Sequence, residues 1–302
     1  MMNNMTVGNY QERYCLFLDI LGFKSHVNES INTTSSDSKA MSFSKLKAAL
    51  SEISRGVNYR DGIAMQGKIV PTSRQVTQFS DSIVISYLKN EPYGSGVSSI
   101  ILDVHRLQLE LVKRGILLRG AITSGLLYHD DTFIFGPALN EAVALECLAG
   151  YPRVILDGKI LDDAGFERSP GLSNPRTISS MVSLDFDGLY FVDYFNIHPD
   201  DFEQEWYYIS DYLSKLRELI KNLSHKRDPS IKVKYSWLRA KFNAIADNLE
   251  SKEFKELGMF RIPEDDQDFF RMIRSFWSLS LILALNLFAL TVCIKPVHNI
   301  QN

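Results

Sequence analysis

One short run constrains this chain more than any other segment. Tyr14 to Ile20, YCLFLDI, is apolar but for a single acid and is closed by the turn-like Leu21-Gly22-Phe23. Such a run reads as a strand of a buried sheet. An aspartate within it needs a reason, because a carboxylate taken out of water without a partner is costly.

A second acid stands in a similar setting. Gln75 to Tyr87, QVTQFSDSIVISY, reads as two β-runs joined at Ser80-Asp81-Ser82, the polar tip of a hairpin. Asp19 and Asp81 are thus expected at the ends of neighbouring strands, and hard divalent cations favour such carboxylates together with substrate phosphates.

Around these strands the pattern predicts a mobile loop at Asn28 to Ser38, rich in Ser, Thr and Asn, and a helix from Ser44 to Ile53. A helix over Ser98 to Lys113 ends at Arg114-Gly115. Ile116 to Ile122 and Gly125 to Tyr128 read as strands, Pro137 to Leu148 as a helix opened by Gly136-Pro137, and Arg153 to Leu156 as a strand. This order predicts an α+β fold, a mainly antiparallel sheet with helices packed on it, followed by a helical C-terminal extension.

Residues 1–168 are expected to form the main domain and 169–268 an extension packing on it. In that extension Met181 to Phe195 would add one or two strands, while Asp201 to Leu223 and Lys234 to Leu249 would be helical. The cations Lys226, Arg227, Lys232, Lys234, Arg239 and Lys241 read as a solvated face, with the helix around Trp237 covering the domain edge. Within the tail 269–302, Ser275 to Ile294 is a run of twenty residues without a charge, flanked by Arg271, Arg274 and Lys295. It has the length of a bilayer span or of a buried hydrophobic helix.

Composition narrows the function. A formal charge of −3 provides no basic surface to hold a nucleic-acid backbone. Cys15, Cys147 and Cys293 lie far apart with no CxxC pair, and the polar N-terminus has no secretory signal, which points to the cytoplasm. Attachment of such a protein to the inner membrane would rest on Ser275 to Ile294. The six histidines lack the i, i+4 spacing of a helical zinc site and read as surface or core residues.

Phe17-Leu18-Asp19-Ile20-Leu21-Gly22-Phe23 and, some sixty residues on, Phe79-Ser80-Asp81-Ser82 resemble the metal-binding signature of class III nucleotide cyclases. The likeness continues through Leu118-Arg119-Gly120-Ala121-Ile122-Thr123-Ser124-Gly125 and Phe135-Gly136-Pro137-Ala138-Leu139-Asn140. The helix Gly136 to Glu146 is similar to that of the pyrimidine cyclases of bacterial Pycsar antiphage systems, and the resemblance spans about Tyr14 to Leu156.

The resemblance implies two Mn²⁺ or Mg²⁺ ions held by Asp19, the carbonyl of Ile20 and Asp81. It implies Asn140 and Arg119 as catalytic residues, and Phe23, Thr77 and Phe133 as nucleotide-binding positions. It further implies a homodimer, a nucleoside triphosphate substrate, and synthesis of cyclic UMP or cyclic CMP that activates a separate effector. Two departures qualify it. Ala144 stands where the family has a transition-state arginine, so Arg119, Arg153 or Lys159 must substitute or activity is low or lost. Thr77 and Phe133 replace the lysine and the acid that read purine bases. A purine cyclase with divergent base contacts and a degenerate nucleotide-binding module remain alternatives.

Overall fold

Strand β1 (Gln11–Ile20) lies in the middle of the sheet, paired antiparallel to β5 (Ser82–Leu88) on one side and β6 (Leu118–His129) on the other. The computed structural model describes residues 9–32, 35–55, 63–65, 68–70, 72–92, 94–164, 178–197, 201, 206–248 and 262. All of these but residue 262 fall in one compact unit, 1–261.

The sheet runs β4-β5-β1-β6-β8-β10-β9, where β4 is Gln75–Phe79, β8 Val154–Leu156, β9 Val182–Leu184 and β10 Tyr190–Val192. The short β7 (Ile134–Phe135) pairs with β6, and β2 (Ile63–Met65) with β3 (Lys68–Val70) forms a separate ladder. Only the β6–β8 pairing is parallel among the described ladders. The expected α+β fold with a mainly antiparallel sheet is therefore what the chain adopts.

Side chains of β1 alternate between two helix layers, as the period of two requires. Tyr14, Leu16, Leu18 and Ile20 join the main core with α2 (Ser36–Arg55) and α3 (Gly96–Lys113). Cys15 and Phe17 face the other way, onto Ala138 and Ala142 of α4 (Pro137–Glu146). Asp19 is next in this second series, so its carboxylate leaves the core on the α4 side. That resolves the acid in the apolar strand.

The segment read as a mobile loop, Asn28 to Ser38, is instead mostly helical: α1 (Phe23–Asn32) runs through its start and α2 begins at Ser36. Its small polar residues bond locally instead of breaking structure. Ser30 Oγ donates to the carbonyl of Val27 at 2.7 Å, and Ser35 Oγ accepts from the amide of Ser38 at 3.3 Å. The two strands expected from Ile116 to Tyr128 are one, because β6 pairs with β1 from Leu118 through Leu127. Gly125 sits within that ladder opposite Arg13 and does not break it.

After α5 (Gly158–Asp163) come α6 (Trp206–Ser224) and α7 (Pro229–Asn248), the helices expected beyond residue 200. The reading of the basic residues as a solvated face needs correction at Arg239 and Lys241 of α7. Arg239 is buried, and Lys241 lies 2.9 Å from Asp185, which also accepts from Trp237 Nε1 at 2.7 Å. Arg153 completes this cluster by pairing with Asp185 and Asp187. A stripe of aromatic and charged groups therefore fastens α7 to the β9–β10 end of the sheet.

The loop Ser169 to Ile178 and the hydrophobic tail 269–302, with Ser275 to Ile294, lie outside the described residues but for Ile178 itself. Among the described residues no helix is long and apolar enough to cross a membrane.

Candidate active site

Asp19 and Asp81 meet because one hairpin turns beside the end of β1. β4 and β5 are joined through Ser80 and Asp81, and Ser80 takes a left-handed φ of +58°. A non-glycine residue bears such a conformation at a cost of about 1 kcal/mol or more. The amide of Ile20 donates to the carbonyl of Asp81 at 3.1 Å, which fixes the tip against the strand. Burial, reinforced by the neighbouring charges of Asp81 and Glu146 and opposed by Arg119, raises the Asp19 carboxyl above its ordinary value. The two expected metal acids are thus close enough to feel each other.

Arg119 stands opposite Asp19 in the β1–β6 ladder. Its Nη2 lies 3.6 Å from Asp19 Oδ2, and its Nε donates to Glu146 Oε1. Glu146 is buried, with 6% of its side chain exposed, against about a quarter for Asp19 and Arg119. It was missed in the sequence, although an acid completing the stripe Ala138, Ala142, Glu146 was a visible signal.

Of the three cations offered in place of the arginine absent at Ala144, the structure puts one at the carboxylates. Arg153 is wholly buried between Asp185 and Asp187. Lys159 is held by Glu141 at 2.6 Å and lies 3.7 Å from Asp157. Arg119 alone of the three touches Asp19.

Thr77 is not a free hydroxyl. Its Oγ1 is 2.9 Å from His129 Nε2, while His129 Nδ1 is 2.8 Å from Ser86 Oγ. Ser86 Oγ also accepts from Arg13 Nε at 2.9 Å. His129 is a core histidine, 7% exposed. Burial, with the charge of Arg13 beside it, pulls its imidazole down to about 4, so the ring is neutral near pH 7. The hairpin that follows His129 carries Phe133, held at its tip by bonds from the amides of Thr132 and Phe133 to Asp130. The Phe133 ring is 61% exposed.

The remaining positions lie elsewhere. Phe23 opens α1 with its ring packed on the main core. The amide of Leu21 donates to the carbonyl of Leu117 at 2.9 Å and is not open to a phosphate oxygen. Asn140 is exposed on α4, six residues before Glu146 and on a different stripe of the helix, about 9 Å away along its axis by the helical rise. Within one chain Asn140 and the carboxylates therefore stand apart.

The chemistry of the donor set suits divalent cations. Asp19, Asp81 and Glu146 against Arg119 leave two negative charges uncompensated when all are ionised. Among the described residues no group of three or more His, Cys, Asp and Glu is arranged to hold a metal by itself, so two carboxylates would need phosphate oxygens to complete a coordination shell.

No protein-family model and no curated protein sequence matches this chain. Solved structures similar to it include the catalytic core of a rhodopsin-guanylyl cyclase with converted specificity in complex with ATPαS, 14% identical, covering 61% of this chain and 96% of that one at a TM-score of 0.40. Another is the adenylyl cyclase CyaB from P. aeruginosa, 14% identical, covering 61% and 94% at 0.36. A third is the guanylate cyclase domain of RhGC from Catenaria anguillulae in complex with GTP, 12% identical, covering 61% and 97% at 0.38.

Proposed function

We propose that this chain is a nucleotide cyclase that converts UTP or CTP into the 3′,5′-cyclic monophosphate and diphosphate, producing a second messenger in antiphage defence. The observation that carries the reading is the meeting of Asp19, at the end of β1, with Asp81, at the tip of the neighbouring hairpin, directly across the ladder from Arg119.

In this reading Asp19, the Ile20 carbonyl and Asp81 hold two Mn²⁺ or Mg²⁺ ions. Such ions, when bound, neutralise triphosphate charge and favour ionisation of the ribose 3′-hydroxyl. The 3′-oxygen bonds to the α-phosphorus, diphosphate leaves, and the hydroxyl proton passes to solvent. Amides of Gly22, Phe23 and Lys24, at the start of α1, face phosphate oxygens. Arg119 supplies the guanidinium that Ala144 does not.

Asn140 positions the ribose from a second copy of the chain, because its own α4 points it away from Asp19. A homodimer would then carry two composite sites. The pyrimidine preference rests on Thr77, engaged with His129, and on the bare ring of Phe133. Neither offers the lysine or carboxylate contact that reads a purine.

The test is incubation of the purified protein with Mn²⁺ and each of ATP, GTP, CTP and UTP separately, with products resolved by chromatography and mass. Cyclic UMP or cyclic CMP as the main product is expected. Predominant cyclic AMP or cyclic GMP would make this a purine cyclase. Nucleotide binding with no product from any triphosphate would make it a degenerate module that lost its arginine at position 144.

A further inference from the structure

Arg119 faces two carboxylates at once. Its Nε is bonded to Glu146 on the last turn of α4, and its Nη2 stands 3.6 Å from Asp19. The Glu146 contact is the tighter of the two, and Glu146 is the more buried acid. A buried carboxylate stripped of its cation is costly, so Glu146 has a strong claim on the guanidinium. Asp19 has a weaker one and keeps lone pairs open to another cation.

We propose that Glu146 is a positioning residue that restrains Arg119, holding the guanidinium beside the site without letting it close onto Asp19. The inference rests on the reading of Asp19 and Asp81 as metal carboxylates and assigns a role to a residue outside that set. Without Glu146, Arg119 would swing fully onto Asp19, the nearest remaining anion, and compete with a divalent cation for the same oxygens. With Glu146 in place the guanidinium stays within reach of a phosphate group without blocking the metal.

The geometry also explains a buried acid in a helix whose other inward residues, Ala138 and Ala142, are small and apolar. Those alanines let α4 lie close on β1 and β6. At that range a glutamate on the same stripe reaches β6 and meets Arg119. Gly120, the next residue along β6, sits so near β1 that an added Cβ would lie 2.4 Å from the Phe17 carbonyl oxygen. The strand carrying Arg119 is therefore packed tightly against β1 beside this residue.

The experiment titrates Mn²⁺ alone into the purified full chain and follows free ion by electron paramagnetic resonance, with melting curves for each variant. Glu146→Gln is expected to weaken Mn²⁺ binding by about tenfold, in the range seen when groups that orient metal ligands are removed. Arg119→Gln should bind Mn²⁺ more tightly than the unaltered protein. In the Arg119→Gln background, Glu146→Gln should lose most of its effect. Equal weakening with and without Arg119 would overturn the proposal, because Glu146 would then act by its own charge. If Glu146→Gln does not fold, Arg119→Gln alone decides, and unchanged or weaker Mn²⁺ binding overturns the proposal. Asp19→Asn serves as the reference: Mn²⁺ binding that ignores it would refute the metal reading itself, a distinct failure.

Discussion

His129 allows a prediction that can be worked to a number. Its imidazole is pulled from about 6.5 to about 4 by burial and by Arg13, so over that interval the unfolded chain binds a proton that the folded chain refuses. Stability then falls as pH falls, because protons favour the state that takes them up. At pH 4.5 the unfolded histidine is almost fully charged while the folded one is mostly neutral, and the difference amounts to about 2.5 kcal/mol relative to pH 7. His129→Gln keeps a side chain able to donate and accept between Thr77 and Ser86 but removes the titration. Urea denaturation of both proteins at pH 7 and pH 4.5 isolates the histidine contribution, since the carboxylates are common to both. The unaltered protein should lose about 2–3 kcal/mol more than His129→Gln on acidification. Equal losses would mean that the ring is not held neutral and that its bonds to Thr77 and Ser86 do not define its state.

Other perturbations follow from particular contacts. Gly120→Ala should destabilise the fold by at least about 1–3 kcal/mol, measured by urea denaturation, because its Cβ meets the Phe17 carbonyl and Leu18 Cδ2 at 2.4 and 2.7 Å. Arg153→Met removes the buried partner of Asp185 and Asp187 and should cost about 3–5 kcal/mol, read as a lower denaturation midpoint. Lys159→Met breaks a half-exposed pair with Glu141 and a longer contact with Asp157, so it should change stability by less than about 1 kcal/mol and leave turnover within about twofold. A large loss of turnover in that variant would return Lys159 to the group of possible replacements for the missing arginine.

Much of the architecture was legible because its signals are local. The apolar run of β1, the hairpin tip at Ser80-Asp81 and the helix read from Ser98 to Lys113, ending at Arg114-Gly115, each depend on residues close together in sequence. The start of α1 and α2 was not legible, since Ser, Thr and Asn are read as loop formers while here they bond their own helix ends. The continuity of β6 was hidden by Gly125, whose place is decided by pairing with β1.

For the site, Asp19 and Asp81 were visible as acids at strand ends, and their proximity is a product of the sheet order. What escaped the sequence is who partners whom. Thr77 is tied to a histidine fifty-two residues away, and Arg119 to a glutamate twenty-seven away, contacts created only when β4, β6 and α4 come together. Gly136 illustrates how far such placement is backbone-controlled. Its φ of +145° and the Leu126 carbonyl oxygen, 2.7 Å from where a Cβ would stand, admit only glycine at the entrance to α4.

In the proposed function Asp19 and Asp81 together make the catalytic centre. The most direct measurement compares cyclic nucleotide formation from UTP and CTP with Mn²⁺ by the unaltered protein, Asp19→Asn and Asp81→Asn, with a melting curve for each. A cyclic pyrimidine product is expected, reduced by at least about a hundredfold in both variants while the melting temperatures stay within a few degrees. Product formation undiminished in either well-folded variant would contradict it.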